Sequence, residues 1–144
     1  MSQGRKQAGH RQFSVRVATP TFEELERRAH ERGVARNALT ERYIVEGVKM
    51  DEHPEIAFRE GALGRRAILA GTRLDVWQVI ETVRNSGNSA QEAAGYLGLP
   101  PARVQAAVNY YAVYRDEIDE IAERERAVSE RAEAMWRAGQ ELLA

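Results

Sequence analysis

The sequence contains no cysteine, which excludes disulfide bonds, thiolate zinc sites and cysteine nucleophiles. Its longest apolar runs are a few residues, far below the roughly 18 that a transmembrane helix needs, and the N-terminus has no apolar stretch typical of a signal peptide. Phosphate-loop, serine-nucleophile and metal-binding histidine motifs are also missing. We therefore expect a cytoplasmic protein without a membrane partner, which is not an enzyme and needs neither metal nor cofactor.

The sequence is instead rich in charge, with 30% charged residues and a net charge of −1. The charges are unevenly distributed. Residues 1–50 carry ten Lys and Arg against six Asp and Glu, residues 51–112 carry six against seven, and residues 113–144 carry five against nine. A basic head and an acidic tail suggest two partners, a polyanion for the first and a protein for the second. Chance segregation of charge is the alternative.

Residues 12–17 alternate polar and apolar side chains, a pattern that predicts a half-buried strand. The apolar face consists of Phe13, Val15 and Val17. The polar face consists of Gln12, Ser14 and Arg16, all side chains that can read base edges. No second strand of this pattern lies nearby, and a lone strand leaves its backbone groups unsatisfied. We therefore expect two copies to pair as an antiparallel ribbon, which fits the DNA major groove. An edge strand of a larger sheet is the alternative.

Two helices are predicted after this strand. Thr21 and Glu24 have the spacing of a capping box, which predicts a helix from Thr21 to about Arg32 that ends at Gly33. Its expected buried residues are Leu25 and Ala29. A second helix is predicted from about Arg36 to Val48, and its expected buried residues are Leu39, Tyr43, Ile44 and Val48.

Residues 12–50 resemble the ribbon-helix-helix family of transcriptional repressors and antitoxins. The resemblance rests on Phe-Ser-Val-Arg-Val at 13–17, on Leu25 and Ala29, and on Gly-Val-Ala-Arg-Asn-Ala-Leu at 33–39. It implies a dimer in which the outward strand residues read bases. It also implies a phosphate contact at the N-terminus of the second helix, where backbone N–H groups are free.

The resemblance implies a role for particular side chains of both elements. The base-reading set is Gln12, Ser14 and Arg16. The phosphate contact involves Arg36 and Asn37. Ala35 stands where the family usually has a capping serine, a change that costs about 1 kcal/mol in comparable helices.

The middle of the chain is predicted to be a separate module. Pro54 ends the second helix, so residues 51–62 are interpreted as a linker. A tight hairpin or extended turn is predicted around Gly71-Thr72. Asp75 is the expected N-cap of the next helix, which stops at Asn85. The predicted apolar face of that helix contains Val76, Val79, Ile80 and Val83.

A helix-turn-helix pattern follows. Ser89 and Glu92 repeat the capping-box spacing, Gly98 provides the turn, and Pro101 opens the second helix of the pair. The predicted outward residues of that second helix are Arg103, Gln105, Ala106, Asn109 and Tyr110, most of which can contact bases or phosphates. A purely structural helical hairpin is the alternative, because the module is slightly acidic.

The segment from His53 to about Ile118 also resembles a family, the one catalogued as domain of unknown function 433. The resemblance rests on residues 64–76, 88–104 and 109–112. Members are similar in fold to helix-turn-helix domains and often belong to antitoxins paired with PIN-type ribonuclease toxins. The candidate phosphate contacts in this module are Arg65, Arg66 and Arg73. For Arg73, the alternative is a role in anchoring the hairpin through a buried carboxylate.

The tail is predicted to be one long amphipathic helix. Residues 115–144 contain no proline, and their apolar residues follow a spacing of three and four. The expected toxin-binding residues are Ile118, Ile121, Val128, Met135, Trp136 and Leu142. Glu125 and Gly139 interrupt the heptad, which disfavours self-pairing. The acidity of the tail suits the basic cleft of a ribonuclease, and docking of the helix on its own module is the alternative.

The sequence therefore predicts a mainly α-helical protein. Its expected parts are a disordered basic arm (1–10), a ribbon-helix-helix dimerisation unit (11–50), a linker (51–62), a helix-turn-helix module of three to four helices with a short hairpin (63–114), and a toxin-binding helix (115–144). The resemblances imply a VapB-type antitoxin of a type II toxin–antitoxin system. Such a protein binds operator DNA as a homodimer or higher oligomer and covers the active cleft of a PIN-type, VapC-like ribonuclease. A stand-alone dimeric repressor and an adaptor that does not bind DNA are the alternatives.

Overall fold

The computed structural model describes residues 9–144, in which six helices and one two-stranded antiparallel sheet are found. The chain divides between Ile44 and Val45 into two compact units. The prediction of a mainly helical protein with a short hairpin and a long C-terminal helix is confirmed. No helix within residues 9–144 has the length and apolar character that crossing a membrane requires. Most of the predicted basic arm, residues 1–8, lies outside the described residues.

The first unit contains helix α1 (Thr19–Arg32) and the beginning of helix α2 (Arg36–Glu52). Gly33 ends α1 as predicted, with φ of 63°, a left-handed conformation that glycine adopts at little cost. The predicted capping box of Thr21 and Glu24 is wrong. The helix begins at Thr19 after Ala18, which provides no side-chain cap, and the first turn accommodates a proline because its N–H groups need no helical partner.

Little of the first unit is buried in the single chain. Ala29 and Leu39 are buried, and Leu25 is half-buried. Residues 12–17 form neither helix nor strand. The exposed apolar residues of this unit include Phe13, Val15, Val17, Tyr43 and Ile44, and Val48, on the part of α2 in the second unit, is exposed as well. The expectation that the last three are buried is therefore wrong for one chain, and the ribbon, which needs two chains, stays a prediction.

The second unit begins with the end of α2 and a hairpin of strands β1 (Ile56–Gly61) and β2 (Gly64–Leu69). Ile56 lies opposite Leu69 in the antiparallel register. The interpretation of residues 51–62 as a linker is wrong, because α2 continues to Glu52 and β1 follows almost at once. The turn predicted around Gly71-Thr72 is present, but it follows β2, so the hairpin lies earlier in the chain than predicted.

Four helices complete the second unit: α3 (Val76–Asn85), α4 (Ala90–Leu97), α5 (Pro101–Val113) and α6 (Arg115–Leu143). The predicted N-caps of α3 and α4 are confirmed at Asp75 and Ser89, and the Ser89 hydroxyl accepts a hydrogen bond from the Glu92 N–H at 3.1 Å. Gly98 has φ of 67° in the predicted turn. These local signals place α4 and α5 correctly.

The core of the second unit lies between the hairpin, helices α3 to α5 and the first turn of α6. Its buried apolar residues are Ile56, Ala67, Leu69, Val76, Val79, Ile80, Ala93, Ala94, Val104, Ala107, Tyr110, Tyr111 and Ile118. Helix α6 leaves this core early, since every residue from 126 to 144 is exposed. The hairpin and the helix pair are thus fixed in one body, and the second half of α6 extends away from it.

Candidate DNA and protein interfaces

The predicted base-reading residues lie on an exposed segment of the first unit. The side chains of Gln12, Ser14 and Arg16 are all exposed. The apolar residues that alternate with them are exposed too, at 68% for Phe13 and 66% for Val15. A segment that exposes both apolar and hydrogen-bonding side chains can bind a protein surface and a polar ligand.

An open groove of about 820 Å³ lies next to this segment in the first unit. Its apolar lining includes Val17, Pro20, Leu25, Tyr43 and Ile44. At its rim Glu24 accepts a hydrogen bond from the Arg28 Nε at 3.1 Å. The apolar residues of this lining thus bring Val17 together with residues of α1 and α2 on one surface.

The predicted phosphate contact at the start of α2 is partly engaged. The guanidinium of Arg36 donates to Glu26 Oε1 at 3.0 Å and lies 4.9 Å from the centre of the Phe22 ring. Asn37 is exposed. Both partners of the Arg36–Glu26 pair are about half exposed, and such ion pairs contribute little to stability. Exchanging this carboxylate for a phosphate therefore costs little free energy.

Arg66, a predicted phosphate contact, lies in a buried ionic network. Its side chain donates to Asp75 Oδ2 at 2.9 Å and to the Glu125 carboxylate, and the residue is 8% exposed. Asp75, 1% exposed, also accepts from Arg59 at 2.7 Å and from the Trp77 indole N–H at 2.9 Å. A buried carboxylate does anchor the hairpin, but through Arg59 and Arg66.

The other predicted phosphate contacts of this module differ in how far they are already paired within the chain. Arg65 donates to the Glu46 carboxylate, and this hydrogen bond raises the pKa of Arg65 above its usual value. Arg103 donates to the backbone oxygen of Ala70. Among the phosphate candidates described in the second unit, Arg73 alone is exposed without a hydrogen bond or ion pair. Among these predicted contacts, only Arg73 is thus left for a polyanion.

The outward face of α5 differs in part from the prediction. Gln105 and Asn109 are exposed and hydrogen-bonded to each other at 2.9 Å. Tyr110 was expected to point outward, and this is wrong: it is completely buried, and its hydroxyl donates to Glu117 Oε2 at 2.6 Å. Residues 86–114 contain two charged residues, Glu92 and Arg103, in a chain that is 30% charged. The helix pair therefore presents a nearly neutral surface.

A polar and aromatic cluster that sequence reasoning missed surrounds Tyr110. The His53 ring packs edge-on against it at 5.1 Å, and Lys49 lies 3.4 Å from the Glu117 carboxylate. Burial raises the pKa of Tyr110 far above the usual value, and the hydrogen bond to Glu117 adds to this effect. Burial likewise raises the pKa of Tyr114, whose hydroxyl donates to Glu52 at 3.0 Å. The only sequence signal was the Asn-Tyr-Tyr-Ala run at 109–112.

The residues predicted to bind a toxin separate into two groups along α6. Ile118 lies in the core of the second unit and Ile121 is half-buried, so the expectation that Ile118 faces a partner is wrong. The exposed group consists of Val128 (48%), Met135 (70%), Trp136 (65%) and Leu142 (86%). The docking alternative thus holds for the first part of α6, and the exposed stripe begins after Glu125, which binds Arg66.

The charge of the tail also divides at this point. Residues 115–125 carry two arginines and six acidic residues, whereas residues 126–144 carry three of each. The acidic excess therefore lies on the part of α6 that packs on its own module. The extending segment, residues 126–144, has no net charge.

Residues 56–111 match a family described as "Protein of unknown function (DUF433)". The match covers the hairpin, α3, α4 and most of α5, and it leaves out α1, α2 and α6. It confirms the resemblance to this family that residues 64–76, 88–104 and 109–112 indicated. No curated protein and no solved structure matches the chain.

Proposed function

We propose that this chain is a dimeric operator-binding regulator of the antitoxin type, and that residues 12–17 of two copies pair as an antiparallel ribbon. In this arrangement Gln12, Ser14 and Arg16 face the DNA major groove. The observation that supports the proposal most is the exposure of the alternating apolar face in the single chain, where Phe13, Val15 and Val17 are 68%, 66% and 51% exposed.

Burial of this face is the driving force of the proposed dimer. Complete burial of a side chain of this kind stabilises a structure by about 1.5–3 kcal/mol, and two copies would bury six of them. The adjacent groove adds Leu25, Tyr43 and Ile44 to the same surface. Pairing of the ribbon would also satisfy backbone groups that one extended segment leaves to solvent.

Sequence-specific DNA binding can be tested without knowing the operator. Selection from a random duplex library yields the preferred site, and fluorescence anisotropy then compares this site with a scrambled duplex. We expect Arg16→Ala to lose about 1–3 kcal/mol of discrimination between the two, because an arginine reads guanine with two hydrogen bonds. Arg27→Ala, on the exposed side of α1, is the matched control and keeps the discrimination. Full discrimination by Arg16→Ala would contradict the proposed readout.

In the same proposal, residues 126–144 bind a PIN-type, VapC-like ribonuclease and block its active cleft. The support for this part is the exposed apolar stripe with Met135 and Trp136, because amphipathic helices bind grooves through such residues. Co-expression with the product of the neighbouring gene tests it. We expect the Met135→Glu, Trp136→Glu double variant to lose the complex and Ala134→Glu, on the charged face, to keep it. If the double variant still bound the ribonuclease, this part of the proposal would be contradicted.

A stand-alone dimeric repressor is the second candidate, and one observation favours it. The extending segment has no net charge, whereas a cleft that binds RNA is expected to be basic and to attract an acidic ligand. In that case the DNA-binding experiment succeeds and no ribonuclease is recovered with the chain.

A further inference from the structure

The extending segment of α6 keeps the heptad spacing, and Gly139, interpreted from the sequence as an interruption, occupies one of its positions as a small residue. Glu125, which interrupts the heptad in the sequence, belongs to the docked part of the helix, where it binds Arg66. Beyond it, the apolar positions alternate in spacing between four and three residues. The larger side chains of the stripe are Val128, Met135 and Leu142. The small residues between them are Ala132 and Gly139.

The sizes along this stripe follow a rule. The first heptad position after Glu125 is always small, as in Ala132 and Gly139. The fourth position is always larger, as in Val128, Met135 and Leu142. Two parallel copies would place small residues against small ones and large against large, which leaves voids beside crowded layers. Two antiparallel copies can instead place Met135 and Leu142 of one helix against Gly139 and Ala132 of the other, which fills four successive layers.

Gly139 leaves room on the stripe for the backbone of a second helix. A Cβ atom at this position would meet nothing within 4 Å, and the residue does not have the left-handed conformation that favours glycine. Glycine inside a helix costs about 1 kcal/mol relative to alanine. The close approach of another backbone on this stripe would use the space that the missing Cβ leaves.

We propose that residues 126–144 of two copies of this chain pair as antiparallel helices. Met135 and Leu142 of one copy then pack against Gly139 and Ala132 of the other. The three arginines and three glutamates of the segment leave each copy without net charge, so two copies do not repel each other. Pairing also stabilises a helical segment of about 28 Å that is marginal in isolation.

This inference goes beyond the proposed function and is independent of the ribbon. The same stripe serves the proposed ribonuclease contact, so pairing between copies and ribonuclease binding exclude each other. With the ribbon intact, the pairing joins dimers into tetramers. With the ribbon disrupted, it holds two chains together.

Sedimentation of the purified full-length chain over a range of concentrations tests the pairing. We expect Met135→Glu to halve the mass, because a charge enters the paired stripe, and Ala134→Glu to leave it unchanged, because the neighbouring residue lies on the charged face. Adding Val15→Asp to both variants separates the two contacts: the chain with Ala134→Glu then sediments as a dimer and the chain with Met135→Glu as a monomer. Equal masses for Met135→Glu and Ala134→Glu would overturn the inference and leave the DNA-binding proposal intact.

The absence of native cysteine permits a direct test of orientation. Labels are attached at Glu130→Cys, on the charged face of the helix, and at Ala144→Cys, directly after its last residue, and distances between chains are measured by pulsed electron paramagnetic resonance. In the antiparallel pair, a label at 130 lies closer to a label at 144 of the other copy than two labels at 144 lie to each other. The opposite order indicates parallel helices and would overturn the assignment.

Discussion

At the scale of single residues, the stability of the second unit depends on one buried carboxylate. Asp75 caps α3 by position, but its side chain accepts hydrogen bonds from Arg59, Arg66 and Trp77. It thereby joins both strands to the start of α3, and Arg66 extends the network to Glu125 on α6. Removing one partner of such a network leaves a buried charge without compensation, which costs far more than the intact pair contributes.

We therefore expect Asp75→Ala to lower the free energy of unfolding by about 3–5 kcal/mol. Urea denaturation followed by circular dichroism measures this loss. Arg73→Ala, in the same loop but exposed and unbonded, is the control and changes stability by less than about 0.5 kcal/mol. Similar values for the two variants would show that the network does not stabilise the fold.

The buried tyrosine predicts a specific loss of stability at high pH. Burial raises the pKa of Tyr110 in the folded chain above its value of about 10 in the unfolded chain, so the folded state holds the phenolic proton more tightly. The contribution is complete below pH 10 and decreases as the pH rises above it, by up to about 1.4 kcal/mol per pH unit. Urea denaturation between pH 8 and pH 11 measures this decrease. Tyr110→Phe should show a smaller pH dependence, and an unchanged one would contradict the explanation.

The sequence identified Asp75 as an N-cap but gave no indication of its ionic partners. Capping is a local property, since it depends on residues within one turn. The contacts of Asp75 with Arg59 and of Arg66 with Glu125 span 16 and 59 residues, and they exist because the hairpin register brings both arginines to one end of α3. Arg66 was consequently interpreted as a phosphate contact although it is buried.

At the scale of elements, local signals predicted helix ends well and the hairpin poorly. Gly33 and Gly98 were identified as helix stops because their left-handed conformations have a strong residue preference. Strand β1 was missed because Arg59, Glu60 and Gly61 do not follow an alternating pattern. Its stability comes from pairing with β2 and from the contact of Arg59 with Asp75, and neither contact produces a periodic pattern in the sequence.

Gly61 shows how the hairpin and the ionic network depend on each other. A Cβ atom at this position would lie 2.6 Å from the Arg66 Nε, and the Arg66 guanidinium is held in place by two carboxylates. We expect Gly61→Ala to lower the free energy of unfolding by about 1–3 kcal/mol, as overpacking does in buried sites.

The control for Gly61→Ala is the same substitution in a helix. Gly47 lies inside α2, where an added Cβ meets nothing within 4 Å. Gly47→Ala should therefore raise stability by about 0.5–1 kcal/mol, because alanine loses less backbone entropy on folding. Thermal unfolding of the two variants measures both effects, and a stabilising Gly61→Ala would contradict the packing argument.

At the scale of the whole molecule, the net charge does not show which cations are paired with acids and which are exposed. The second unit engages Arg59, Arg65 and Arg66 in internal ion pairs and leaves α4 and α5 nearly neutral. The first unit carries its cations on exposed side chains, among them Arg16 and Arg36. The sequence predicted a basic front, but it could not distinguish available cations from paired ones further along the chain.

This distribution predicts which unit neutralises phosphates. The logarithm of the DNA-binding constant decreases linearly with the logarithm of the salt concentration, and the slope reports the number of phosphates contacted. We expect Arg36→Ala to reduce this slope by about one, because its exposed ion pair with Glu26 exchanges readily for a phosphate. Arg73→Ala should leave the slope unchanged. Anisotropy titrations at four salt concentrations measure the slope for both variants. A smaller slope for Arg73→Ala with an unchanged slope for Arg36→Ala would show that the second unit, not the first, contacts the phosphates.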